Sequence, residues 1–228
     1  MPAEGRTKAL KADLHMHTRH SSDSNISPED ILKQARLKGL DVVGVTDHNT
    51  TQGALETKKL AAKFFPGLVV LVGQEVRTNE GEIIVFGIGG RLPKKMPLEA
   101  TLEDARKKGG FIIVPHPFDK IRGGIGKKNL QKVMNHVDAV EVLNSKSILK
   151  RFNKNAREFA EANKLPMVAG SDAHMQQYIG TCYTMIMSAP NEKEIYKAIR
   201  SGKTACMGHA VGLRGSGIIA RMKKWIGG

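Results

Sequence analysis

Short runs of apolar, often β-branched residues alternate along the chain with stretches whose apolar positions recur at helical spacing. The runs are typical of buried strands and the stretches of amphipathic helices, so their alternation predicts repeated βαβ units and a mostly parallel sheet. The predicted strands are Lys11–Met16, Asp41–Thr46, Leu68–Glu75, Glu82–Ile88, Phe111–Pro115, Ala139–Leu143, Pro166–Gly170 and Tyr183–Ser188. The predicted helices are Pro28 to about Gly39, with Ser27 as the cap, Thr51–Phe64, Leu98–Lys108, Lys127–Asn135, Ile148–Asn163 and Glu192–Ser201.

The length and continuity of the chain favour one domain. Its 228 residues, 40% of them hydrophobic, suffice for a continuous core, and no proline- or serine-rich linker divides them. We therefore expect a single α/β domain over residues 1–228, closed as a barrel, with an open doubly wound sheet as the competing architecture. Residues 210–228 are predicted to form a basic amphipathic tail. We favour docking of this tail on the barrel as a last helix over contact with a membrane or RNA.

Composition restricts the compartment and the class of partner. The two cysteines, Cys182 and Cys206, show no CxxC spacing, which argues against a disulfide framework or a thiolate zinc site. No signal peptide or transmembrane segment is recognisable, so we expect a cytoplasmic protein. The net charge of +14 favours phosphate-bearing partners. It fits a well-solvated surface and a nucleic-acid footprint equally well.

Histidines and carboxylates follow the apolar part of five predicted strands. They are His15 with His17, His48, Glu75, His116, and Asp172 with His174. Side chains two apart on a strand point to the same side, and the carboxyl ends of barrel strands share one face, so these residues should meet in one site. Imidazole and carboxylate ligands without thiolate indicate zinc, manganese or ferrous iron.

The motifs around these residues resemble those of the polymerase and histidinol phosphatase (PHP) superfamily. In chain order they read DLHMHT, SSDS, SPED, GVTDHNT, GQE, VPHPF, EVLN and GSDAH, and they cover nearly the whole chain. The resemblance implies a distorted (β/α)7 TIM-like barrel that uses up to three metal ions to hydrolyse phosphate esters.

The resemblance also implies a set of metal ligands. The first ion would take His15, His17, Glu75 and Asp172, with Glu75 bridging to a second ion that is bound by His116. A third ion would take Asp23, His48 and His174, where Asp23 replaces the histidine of some members. Asp47 would orient His48 or a neighbouring ligand.

One departure from the family pattern concerns the second ion. Many members carry another histidine soon after the bridging glutamate, whereas residues 81–87 of this chain contain none. The second ion should therefore be weakly held or absent, so we expect two or three divalent ions (Zn, Mn or Fe). Glu82 lies nearby, but a turn carboxylate is the favoured interpretation.

Three further residues are candidates for contacting substrate. Arg122, in a glycine-flanked loop after His116, is suited to binding phosphate oxygens, with a solvated surface charge as the alternative. Arg77 is a second candidate of this kind. Asn144 would orient water or substrate, unless it serves only as a turn residue.

The motifs favour hydrolysis of a small phosphomonoester or nucleotide by a metal-bound hydroxide. No Ser-His-Asp or Cys-His arrangement and no Walker loop is recognisable in the sequence. A nuclease acting on short single-stranded RNA or DNA is one alternative. A weakly catalytic metal-binding module that partners a nucleic-acid enzyme is another, because of the missing histidine.

Overall fold

A computed structural model describes residues 7–211, so almost all of the predicted tail at residues 210–228 lies outside the described residues. The strands are β1 Lys8–Met16, β2 Val42–Val45, β3 Val69–Arg77, β4 Glu82–Phe86, β5 Phe111–Val114, β6 Ala139–Asn144, β7 Met167–Gly170, β8 Cys182–Ser188 and β9 Thr204–Gly208. The α-helices are α1 Pro28–Leu37, α2 Gln52–Phe64, α3 Leu98–Lys107, α4 Gly126–Val133, α5 Lys150–Ala162 and α6 Glu192–Arg200. No helix in residues 7–211 combines the length and apolar character needed to cross a membrane.

The strands form one curved sheet that nearly closes into a barrel. Their order is β7-β6-β5-β4-β3-β2-β1-β8-β9. Side-chain hydroxyls connect β7 to the other end of the sheet: Thr184 Oγ1 bonds the backbone N and O of Ala169 at 2.8 and 3.0 Å, and Thr204 Oγ1 donates to the Met167 carbonyl at 2.8 Å. The predicted barrel is therefore confirmed over the open doubly wound sheet.

The mostly parallel sheet that we predicted departs from parallel pairing in two places. Strands β3 and β4 are joined by a turn in which Thr78 N donates to Gly81 O at 2.7 Å, so β4 runs antiparallel to β3 and β5. Four residues between two strands are too few for the crossover that a parallel pair requires. Near the other end, β8 is antiparallel to β1 and pairs with β9, a strand that was not predicted.

Aromatic packing fills the barrel and closes its amino end. Phe86 occupies the interior beside Gly73, where an added Cβ would lie 2.5 Å from the Phe86 ring. Below it, Tyr196 of α6 stacks on Phe111 with 4.4 Å between ring centroids. Since this end is blocked, the carboxyl ends of the parallel strands are left to form a site.

The loop between β1 and α1 is held at both of its ends. Ser27 Oγ caps α1 by accepting from Asp30 N at 3.1 Å, as the sequence predicts. Ser24 Oγ donates to the His17 carbonyl at 3.0 Å. These bonds fix the position of Asp23 beside the end of β1.

Candidate metal centre

Eight side chains that we predicted as metal ligands gather at the carboxyl end of the barrel. Backbone bridges from Met16 to Ala173 and from His48 to Glu75 bring the loops after β7 and β2 against β1 and β3. Ligand atoms within 4.8 Å of one another form three groups among the described residues. These groups are His15–Glu75–His116, His15–His17–Asp172 and His17–His48–His174.

The hydrogen bonds of His15 and His17 direct one ring nitrogen of each residue into the centre. His15 Nδ1 lies 3.1 Å from Glu141 Oε1, so it acts as the donor. His17 Nδ1 lies 3.1 Å from Ser21 Oγ, whose only proton goes to Asp47 Oδ1 at 2.7 Å, so this Nδ1 is a donor too. Each Nε2 atom is left with a lone pair that points into the centre.

These two Nε2 atoms lie only 3.2 Å apart. Two lone pairs at this distance repel unless a positive charge or an additional proton lies at or between them. Burial alone would lower the pKa of His15, but the carboxylates of Asp172, Glu141 and Glu75 raise it well above its usual value. Burial, together with His174, holds the pKa of His17 well below its usual value. A positive charge is therefore required beside the two Nε2 atoms, and a divalent cation would supply it in place of a proton.

The carboxylates provide the negative charge that would balance such a cation. Burial alone would raise the pKa of Glu75, but His15 and His116 lower it well below its usual value. At Asp172, Arg122 and Lys146 likewise outweigh burial and hold the pKa of the carboxyl well below its usual value. Asp172 Oδ1, buried and without a hydrogen-bond partner in residues 7–211, lies 3.4 Å from His17 Nε2. The donor set therefore fits a borderline or hard divalent cation.

A second group of ligands lies toward the solvent side of the centre. Asp23 Oδ2 is 3.1 Å from His174 Nε2, and Asp23 Oδ1 is 3.5 Å from His48 Nε2. His48 Nδ1 lies 3.0 Å from Glu75 Oε2, and the hydrogen bonds that His48 donates to Asp23 and Glu75 outweigh burial and raise its pKa to about 11. Asp23 and His48 are more than a quarter exposed, so this side of the centre is open to solutes.

His116 contacts Glu75 on the inner side of the centre, with Nε2 3.0 Å from Oε1. Its Nδ1 is buried with no hydrogen-bond partner among the described residues. Glu82 begins β4 on the same side of the sheet as Glu75, and Arg77 Nη1 donates to it at 2.8 Å. Burial and the neighbouring Glu75 raise the pKa of Glu82. It is therefore a strand residue near the site, and the turn that we predicted for it is wrong.

Two of the predicted ligands have left-handed backbone conformations. His116 has φ +30° and Asp172 has φ +53°. Residues with side chains rarely adopt these values, and the strain persists only where the surroundings impose it, as at binding sites.

Arg122 and Asn144, predicted to contact substrate, and Asp47, predicted to orient a ligand, also lie at this end of the barrel. The Arg122 guanidinium pairs with Asp172 Oδ2, to which Asn144 Nδ2 also donates at 3.2 Å. Asp47 Oδ1 accepts from Thr18 N and from Ser21 Oγ, both at 2.7 Å. It therefore acts on His17 through the hydroxyl of Ser21.

Three buried residues of the centre were not predicted from the sequence. Glu141 holds His15 and accepts from the backbone N of His116 at 3.0 Å. Ser21 connects Asp47 to His17, and Lys146 lies beside His174. Only Glu141 could have been recognised from the sequence, because a carboxylate inside the apolar run of β6 needs a buried partner.

Comparison with known proteins relates this centre to several enzymes. A PHP-associated family model matches residues 150–204. An uncharacterised protein from Methanocaldococcus jannaschii is 40% identical over 146 residues, or 60% of this chain and 82% of that protein. A 3′,5′-nucleoside bisphosphate phosphatase from Chromobacterium violaceum is 32% identical over 96 residues, which are 42% of this chain and 33% of the enzyme. A 5′-3′ exoribonuclease from Haemophilus influenzae is 33% identical over 98 residues, which are 42% of this chain and 34% of the enzyme.

Solved structures share the fold. A two-domain protein from Bacteroides vulgatus, containing a predicted PHP-like metal-dependent phosphoesterase, superposes with a TM-score of 0.74 at 20% identity, over 89% of this chain and 66% of that one. A lesion-specific endonuclease from Pyrococcus furiosus superposes with a TM-score of 0.65 at 19% identity, over 88% of this chain and 58% of that one. These relatives and neighbours include a phosphatase, nucleases and a predicted phosphoesterase, which are hydrolases. The family match over residues 150–204, the barrel fold and the similarity to a bisphosphate phosphatase support the PHP superfamily as the family of this chain.

Proposed function

We propose that the protein is a metal-dependent phosphoesterase that hydrolyses a small phosphomonoester or nucleotide. The observation that carries this proposal is the pair of Nε2 atoms of His15 and His17, 3.2 Å apart amid buried carboxylates. We assign one ion to His15, His17, Glu75 and Asp172, and another to Asp23, His48 and His174. Glu75 and His116 would hold a further ion.

Divalent ions, when bound there, activate water and neutralise charge on the phosphoryl oxygens. The protein's own contribution is to orient the ligands and to bind the substrate. Glu141 and Ser21 fix the rings of His15 and His17, and Asn144 bridges Glu141 and Asp172. The Arg122 Nε has no hydrogen-bond partner among the described residues, so its N–H can donate to a phosphate oxygen.

A nuclease activity on short single-stranded RNA or DNA is the second candidate. The net charge of +14 favours it, and so does similarity to an exoribonuclease and an endonuclease. The phosphatase is preferred because a relative acts on a nucleoside bisphosphate and because residues 7–211 contain no insertion that would build a long substrate channel.

A screen with added manganese separates these activities. The full chain is incubated with an aryl phosphate, mononucleotides, nucleoside bisphosphates and short single-stranded oligonucleotides, and released phosphate and shortened strands are measured. We expect phosphate release from a monoester or nucleotide. Cleavage of oligonucleotides alone, with binding that weakens steeply as salt rises, would replace the phosphatase by the nuclease. Full metal loading without hydrolysis of any phosphoester would indicate the metal-binding module.

The ligand assignment predicts how many ions remain bound during purification. After gel filtration without added metal, elemental analysis should find about two ions per chain, because Glu75 and His116 alone are fewer than the three or four ligands of a tight site. Free manganese should then raise activity further by filling the weak second site, at Glu75 and His116, through mass action.

Glu82→Gln provides the matched control for this prediction. Glu82 lies in the stretch where many family members carry the additional histidine. Glutamine keeps the shape of its side chain but removes the charge. The metal content of this variant should equal that of the wild type. Three firmly bound ions in the wild type and two in Glu82→Gln would instead show that Glu82 completes the second site.

A further inference from the structure

We propose that Lys146 is a substrate contact whose ammonium binds the phosphoryl oxygens, an inference that rests on the proposed phosphoesterase function. Lys146 follows β6, and only 4% of its side chain is exposed. Its Nζ lies 2.8 Å from His174 Nδ1 and 3.7 Å from Asp172 Oδ1. A lysine in a loop is usually solvated, so this burial requires a reason.

The loop around Lys146 is fixed by hydrogen bonds that involve the backbone. The Lys146 N–H donates to Asn144 Oδ1 at 2.9 Å, and the neighbouring Ser145 Oγ donates to the Ser171 carbonyl at 2.7 Å. Ser145 N donates to the Gly170 carbonyl at 3.2 Å. These bonds tie the loop to the segment that carries Asp172, so the ammonium is aimed into the centre.

The hydrogen bonding of His174 decides what Lys146 can contact. His174 Nδ1 lies 2.9 Å from the carbonyl oxygen of Asp172, which can only accept. When His174 gives the lone pair of its Nε2 to a cation beside Asp23, its single proton is on Nδ1 and is donated to that carbonyl. Nδ1 then has no lone pair left to accept a proton from the Lys146 ammonium.

In that state the ammonium lacks a good acceptor among the described residues. Asp172 Oδ1 is 3.7 Å away, too far for a hydrogen bond, and is itself assigned to a cation. An ammonium buried without acceptors is costly, whereas a phosphoryl group offers several charged oxygens. Arg122 holds the other oxygen of Asp172, so two cationic groups flank this carboxylate. A phosphate dianion is the ligand that this arrangement fits.

Phosphate affinity tests the role of Lys146 without relying on turnover. Inorganic phosphate is titrated into the manganese-loaded full chain by calorimetry, and manganese content is measured alongside. Lys146→Met, which keeps the length of the side chain but not its charge, should weaken phosphate binding about tenfold or more and keep its manganese. Lys154→Met, on the exposed surface of α5, should bind phosphate like the wild type.

Each other outcome overturns the inference in a recognisable way. Unchanged phosphate affinity in Lys146→Met, with hydrolysis intact in the wild type, refutes the role of Lys146 alone. Loss of manganese from the variant would make Lys146 a support of the metal ligands instead. A manganese-loaded wild type that neither binds phosphate nor hydrolyses a phosphoester refutes the proposed function as well. Lys146→Gln is measured in parallel, so a folding defect of the methionine variant leaves the comparison intact.

Discussion

Asp172→Asn is expected to keep the fold and to lower turnover at least about a hundredfold. The Asp172 carboxylate lies against the Nε2 atoms of His15 and His17 and accepts from Arg122. Arg122 and Lys146 outweigh burial and keep its pKa well below the usual value, so the group is charged. Asparagine has the same shape but loses the charge, and it places an amide where an anionic ligand is required. Turnover, bound manganese and the thermal unfolding midpoint are measured together.

Asp104→Asn is the matched control for this substitution. Asp104 lies on α3, where it pairs with Lys108 at the surface, and the change removes the same charge away from the centre. This variant should have the turnover and metal content of the wild type. A fully active Asp172→Asn protein with its normal complement of metal would remove Asp172 from the ligand set.

The strand ends of the site were predictable because strand geometry is local. Alternation through the end of β1 places His15 and the following His17 on one side, and only Thr46 separates the apolar run of β2 from Asp47 and His48. The direction of β4 depends instead on the turn between Thr78 and Gly81, which hydrophobic patterning does not reveal. Because β4 is reversed, its first residue rather than its last lies at the site.

The residues that support the ligands were harder to predict. Ser21 and Lys146 lie in loops, where serine and lysine are ordinary surface residues, and only the folded chain places them against His17 and His174. Glu141 is different, since its carboxylate interrupts an apolar strand. Such a residue indicates a buried partner but does not identify it, and the pairing with His15 spans 126 positions of sequence.

Removal of divalent ions is expected to abolish hydrolysis while leaving the barrel folded. The apolar clusters in the barrel interior and beneath the helices are separate from the ligands and should keep the fold intact. The chain is dialysed against a chelator, freed of it, and assayed before and after manganese is restored, with circular dichroism as the check on folding. Activity should fall to background and return with manganese.

If hydrolysis persists after the divalent ions are removed, the competing explanation is a serine nucleophile, because Ser21 Oγ lies 3.1 Å from His17 Nδ1. A base must accept the serine proton, yet the Ser21 hydroxyl donates to Asp47 Oδ1 at 2.7 Å while His17 Nδ1 donates to the serine oxygen. The pair therefore orients His17, and His17 cannot act as the base that activates this serine. Ser21→Ala should lose about tenfold to a hundredfold in activity but still respond to manganese. A chelated wild type that hydrolyses at its original rate, together with an inactive Ser21→Ala, would establish the serine mechanism instead.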